Sequence, residues 1–205
     1  MRKCLFVLLS ILFLIGCATS EKENYSIIGS VPDFEYEGEW IYLVPIKGAT
    51  FETVDSAQIE NGVFFFKGVA DTSDIRIIRT RPLFRLKLQE LLIVVEPGEL
   101  SVRLDSVSNA IGTPQNDALQ YWKDEKMRME RSMMALSEQA KIAPSLVADS
   151  IEEVKARINK AFADYNYEFV KTSDFNTIGT FIYETFGHSF SSEQRKELDE
   201  LKDKY

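Results

Sequence analysis

The stretch 53–68, TVDSAQIENGVFFFKG, holds two strand-like runs that meet at Asn61-Gly62. A two-residue type I′ turn needs φ > 0 at both central positions, and Asn-Gly is a pair that supplies it. The stretch therefore predicts a β-hairpin. In its second arm Val63-Phe64-Phe65-Phe66 is apolar on both faces of the pleat, which predicts a strand inside a packed sheet on which the rest of the β region assembles.

On either side, the signals from 25 to about 104 are all of β type, runs of Ile, Val, Phe and Tyr separated by turn residues. Strands are predicted at 25–31, 39–45, 50–60, 63–68, 74–80, 84–95 and 100–104, punctuated by Pro32-Asp33, Lys47-Gly48, Arg81-Pro82 and Pro97-Gly98. Short strands with hairpin-length links predict an antiparallel β-sandwich over residues 25–110. The character changes at Gly112-Thr113-Pro114, where Thr113 suits an N-cap and Pro114 the first helical position. Leu119, Trp122, Met129, Met133, Leu136 and Ala140 follow a helical stripe up to Pro144, interrupted by Lys126. Ile151, Val154, Ile158, Phe162, Tyr165 and Phe169 form a second stripe. The two predict a helical hairpin. Ile178, Phe181, Ile182 and Phe186 predict a short helix, and Ser191 with Gln194 a capping box for a last one. The expected class is α+β: an antiparallel β-sandwich, then a helical region over 111–205 with a hairpin and short C-terminal helices.

Residues 1–16 have the form of a secretory leader: Arg2 and Lys3, then an apolar run from Leu5 to Ile15 that is too short to span a bilayer as a mature helix. It closes on Leu14-Ile15-Gly16-Cys17, which resembles the lipobox of bacterial lipoproteins at every position. That resemblance implies cleavage between Gly16 and Cys17, lipid on Cys17 and a tether over 17–24. Several acyl chains hold far more firmly than one myristoyl group. Ala18, where Asp would mark inner-membrane retention, points to the outer membrane. The acidic tether Glu21-Lys22-Glu23 leaves open the periplasmic face or the cell surface.

Arg2 and Lys3 leave with the leader, so the 24 basic residues become 22 against 32 acidic ones, a net charge of −10. Such a chain is a poor partner for nucleic acid. Cys4 and Cys17 are the two cysteines, one in the leader and one taken by lipid. The body therefore has no disulfide, no Cys-x-x-Cys pair and no thiolate metal site to offer.

The ordered pieces Ile27-Ile28-Gly29, Ile41-Tyr42-Leu43, Val54-Asp55-Ser56, Asn61-Gly62-Val63-Phe64, Phe66-Lys67-Gly68, Val95-Glu96-Pro97-Gly98, Gly112-Thr113 with Asn116, and Asn176-Thr177-Ile178-Gly179-Thr180 span nearly the whole mature chain. In this order they resemble the uncharacterised N-terminal domain that precedes a thioredoxin-like module in bacterial thiol–disulfide interchange lipoproteins. The Cys-x-x-Cys module that follows in that family has no counterpart before Tyr205, so its redox chemistry is not implied. What the resemblance implies is a membrane-proximal platform or recognition domain.

Five cations crowd into Arg76, Arg79, Arg81, Arg85 and Lys87. Their alternation with apolar residues allows one sheet face to present a patch for an anion, a lipid headgroup or an acidic partner, against the alternative of ion pairs with the chain's own carboxylates. Met127, Met129, Met133 and Met134 suit core packing or a partner groove better than Cu(I), since no Cys or His completes a site. His188 is the only histidine, and its neighbour Ser189 points away from it along the chain, so no catalytic triad is expected. Asp124-Glu125 and Glu152-Glu153 read as solvated helix faces. Asp105, Asn109 and Asn116 lack calcium-loop spacing, and the ten glycines sit singly rather than in a phosphate loop. The sequence thus leads to an expectation of a non-enzymatic, lipid-anchored binding or scaffold module with no cofactor beyond its lipid and no metal. The alternative is a non-catalytic subunit of a thiol–disulfide or peroxide-handling system whose thioredoxin-like partner is a separate chain.

Overall fold

The computed structural model describes residues 24–81 and 87–204; Gly16, Cys17, the tether up to residue 23 and Arg85 lie outside the described residues. The fold is α+β. Among the described residues there are two four-stranded sheets followed by four helices. In the first sheet β4 (Val63–Val69), β1 (Asn24–Ser30), β7 (Gly98–Arg103) and β8 (Asn109–Ile111) lie in that order. In the second the order is β3 (Asp55–Gln58), β2 (Trp40–Pro45), β5 (Asp74–Arg79) and β6 (Leu91–Val95). Period-2 alternation sends Ile27, Phe64, Phe66 and Val102 of the first sheet against Ile41, Leu43, Ile78 and Ile93 of the second to make the sandwich core.

Asn61 and Gly62 take φ of 54° and 74°, and Glu60 and Val63 exchange both backbone hydrogen bonds at 2.9 and 3.1 Å, as the type I′ reading requires. The arms then part, which the hairpin reading did not anticipate. Ile59 still bonds to the second sheet, its N–H donating to the Glu39 carbonyl at 2.9 Å, whereas β4 pairs with β1 in the first. The turn is therefore a corner between the sheets, braced by the Glu37 carboxylate, which accepts from the Asn61 and Gly62 N–H groups at 2.9 and 3.2 Å.

Strand β4 also differs from the expected interior position. It is an edge strand; Phe64 and Phe66 are buried but Phe65 is 60% exposed. The register continues Phe65 into Ile28, Ser101 and Ile111, a row on the open face of the first sheet that is apolar except at Ser101. Among the described residues every strand pairing is antiparallel except β1 with β7. The strand expected at 50–60 is confined to β3, the described part of the 84–95 run is strand only from Leu91 in β6, and β8 is an addition.

The helices are α1 (Pro114–Ile142), α2 (Ser145–Thr172), α3 (Thr177–Phe186) and α4 (Ser192–Lys202), with the Ser191–Gln194 capping box formed as read. Thr113 is the N-cap residue of α1 but makes no side-chain cap bond. That work falls to Glu96, whose Oε1 accepts from the Gln115 and Asn116 N–H groups at 2.8 and 3.3 Å. Asn116 in turn acts as a strand partner for β6. Its amide accepts from the Val94 N–H at 2.9 Å and donates to the Val94 carbonyl at 2.7 Å, with a further bond to Thr113 Oγ1 at 2.8 Å. Gly112, with φ of 126°, permits this joint, because a Cβ there would lie 2.5 Å from the Glu99 carbonyl oxygen.

Ile75 and Val94 leave the second sheet on its outer side and join Leu119, Trp122, Val170, Ile178, Ile182 and Leu198 in a second core. Beyond this root the hairpin stands alone. Between Trp122 and Ala163, Ile151 is the only buried residue among the described side chains, and Ile142 near the tip is 88% exposed.

Replacing Asn116 by Ala orphans both backbone groups of Val94, which is 1% exposed. The expected loss is roughly 2–4 kcal/mol, read as a lower urea midpoint at unchanged slope. A loss below about 1 kcal/mol would show that the joint is not what holds α1 on the sheet.

Candidate functional site

The five-cation cluster is distributed rather than gathered. Arg76 shares a pleat face with Ile78 of the sandwich core, and Arg79 lies on the opposite side with Ile75 of the helical core. Arg76 pairs with Asp74 at 3.1 Å, Arg79 with Glu90 at 3.9 Å, Arg81 with Glu39 at 3.5 Å and Lys87 with Glu35 at 2.8 Å. Arg85 is outside the described residues. Pairing with the chain's own carboxylates is thus the arrangement present at all four described members.

Other sequence candidates are likewise engaged locally. Asn116 serves Val94, and the Asp105 carboxylate accepts from the Ser106 N–H and from Arg103. Ser189 donates its hydroxyl to the Phe186 carbonyl at 2.7 Å, beside the exposed His188. Met127 accepts from Arg131 at 3.2 Å, Met129 lines a groove between α1 and α2, and Met134 is exposed on the arm.

The groove has a volume of about 240 Å³ and a floor that includes Ile158 and Phe162. The Tyr165 hydroxyl beside it is buried with no partner among the described residues, and burial pushes its pKa up to about 12.

A larger cleft, about 310 Å³, opens where β6, α1 and α3 meet. Helical spacing builds it: Leu119 and Trp122 enter the second core, and Lys123 and Lys126 follow at i+4 and i+7 from Leu119. Trp122 is fixed by donation from Nε1 to Asn166 Oδ1 at 2.8 Å and by an edge contact to Phe186 at 5.4 Å. The half-buried Lys123 donates from Nζ to the Leu92 carbonyl at 3.2 Å, the next outward-facing group along the β6 edge after Val94. No carboxylate forms an ion pair with it among the described residues, whereas Lys126 is paired with Glu130. Burial pushes the Lys123 ammonium down to about 8, opposed only by the charge of Asp124. A lysine so perturbed in a cleft marks this as the strongest candidate site. The sequence reading missed it, although a lysine four residues after a core leucine on an apolar stripe was the available signal.

Residues 25–119 match the model of a family described as a domain of unknown function, DUF4369. No curated protein and no solved structure matches the chain. The matched segment runs past β8 to Leu119, so the two sheets and the Glu96–Asn116 joint fall within the stretch that is similar to this family, and the arm lies beyond it.

Because the Lys123 pKa is lowered on folding, the unfolded chain binds more protons between about pH 8 and about pH 10.5. Stability from this group therefore rises with pH across that window, and below it the penalty is constant. Lys123→Met is expected to abolish this rise and to raise the urea midpoint near pH 7. Equal pH dependence in both proteins would contradict the perturbed lysine, with Lys126→Met as the surface control.

Proposed function

We propose that this chain is a lipid-anchored, non-enzymatic binding or scaffold module of the bacterial cell envelope, held at the outer membrane through Cys17. One observation carries the reading: the chain enters at one end of the body and the helical arm leaves by the other. Tyr25 at the entry is in register with Gly98, which lies against Thr113 at the start of α1. From there α1 runs back along β6, past Val94 and then Leu92, and continues as the arm. Its 29 residues span about 43 Å at 1.5 Å per residue. A tether fixed at Cys17 would hold the Ile142 tip that far from the anchored end. Among the described residues no helix is long and apolar enough to cross a membrane, which fits attachment by lipid.

The second reading, a non-catalytic subunit working with a separate thioredoxin-like protein, is favoured by the ordered motifs that continue beyond the family match to Asn176-Thr177-Ile178-Gly179-Thr180. It differs from the first in its partner alone.

Expression in a Gram-negative host should place the wild-type protein in the outer-membrane fraction, with Cys17→Ala lost to the soluble or uncleaved precursor pool. Outer-membrane retention of Cys17→Ala would remove the anchor from the proposal. Cross-linking from the arm of the wild-type protein, with mass spectrometry of the captured chain, separates the readings: a stoichiometric thioredoxin-like partner selects the second.

A further inference from the structure

We infer that the cleft between β6, α1 and α3 is a binding site for a small monoanionic carboxylate with an apolar or aromatic body. It deepens the binding-module reading but rests on the cleft alone, so failure of the Cys17 anchor would leave it standing.

The charge is the first argument. Lys123 brings an ammonium into a half-buried position with one protein acceptor, the Leu92 carbonyl at 3.2 Å. Two of its N–H donors remain available, and a buried cation without a counter-ion is costly unless a ligand supplies one. The walls are the second. Leu92, Trp122, Phe181 and Phe186 line the same cleft, an apolar surface that a fully hydrated inorganic anion would not use. Size is the third: about 310 Å³ corresponds to roughly ten water-sized groups, enough for a carboxylate and one ring or a short chain.

The local acids set the ligand's charge. Glu90 and Glu130 also line the cleft, Glu90 near Arg79 and Glu130 paired with Lys126. Lys123 is the cation left over, so one negative charge is matched and a second would face these carboxylates. A phosphate monoester or dicarboxylate is therefore disfavoured. Binding of a carboxylate would in turn favour the charged form of Lys123, which links affinity to pH.

Trp122 supplies the readout. The chain has two tryptophans, so full-length Trp40→Phe protein reports from the cleft. Phenylacetate titrated into it near pH 7 should give a saturable fluorescence change. The isosteric neutral phenylacetamide should bind at least tenfold more weakly, and phenylphosphonate more weakly than phenylacetate. Phenylacetate affinity should fall as pH is raised to about 9.5, as Lys123 loses its proton. Lys123→Met in the same background should weaken phenylacetate at least tenfold while leaving phenylacetamide unchanged. Equal affinities for phenylacetate and phenylacetamide, or no saturable response to either, overturn the inference, and these comparisons need no variant at Lys123.

Discussion

Strand β6 ends its sheet, and an edge strand whose outer N–H and C=O groups are buried must find partners for them. Among the described residues no strand supplies them. The amide of Asn116 takes both groups of Val94, and Lys123 takes the Leu92 carbonyl. For Asn116 to sit there, α1 must start one turn earlier at a fixed place, and the Glu96 carboxylate from the turn after β6 holds that start by accepting from the Gln115 and Asn116 N–H groups. Edge protection and helix capping are thus one hydrogen-bonded unit, and the two halves of the chain are joined through it.

This constraint sets the direction of everything downstream. Since α1 lies along β6, its apolar stripe at Leu119 and Trp122 must meet what covers the outer side of the second sheet, and α3 brings Ile178 and Ile182 to the same core as Ile75 and Val94. The same alignment carries α1 beyond the body, because a 29-residue helix is far longer than the edge of a strand of 5 residues. The cleft follows too: the helix leaves the sheet edge at Lys123, and the space between the departing helix, β6 and α3 is what Trp122, Phe181 and Phe186 line.

Local chemistry was legible in the sequence. Asn61-Gly62, the start of α1 at Thr113-Pro114, the break at Pro144 and the Ser191 capping box are all where residue types put them. Partnership between distant segments was not. Nothing in TVDSAQIENGVFFFKG says that Ile59 bonds to the segment around Glu39 while Val63 begins a strand beside β1, because both choices satisfy the same turn. The parallel β1–β7 pairing closes across most of the β region, and β8 has 3 residues, too few for an alternation to register. Glu96 and Lys123 read as surface charges until the fold sets them against a helix end and a sheet edge. Strand β5 likewise sends Arg76 and Arg79 to opposite faces, a separation that depends on the pleat and not on their closeness in sequence.

The arm is the element that packing economy explains least. A two-helix hairpin without a third layer buries only the stripe between its helices, and its ion pairs, Arg128 with Glu125, Lys141 with Glu138 and Lys155 with Glu152, are screened by water and add little. A chain selected for stability alone would end α1 near Arg128 and turn back there. Extending both helices to Ile142 and Ser145 adds ordered residues, each with an entropy cost of about 1–2 kcal/mol, for little additional core. The capped joint at Glu96 and Asn116 keeps that extension in a fixed direction, which would be wasted on a segment with no geometric task. Reach away from the end of the body where β1 begins, delivered by a rigid root, is the property that this arrangement supplies.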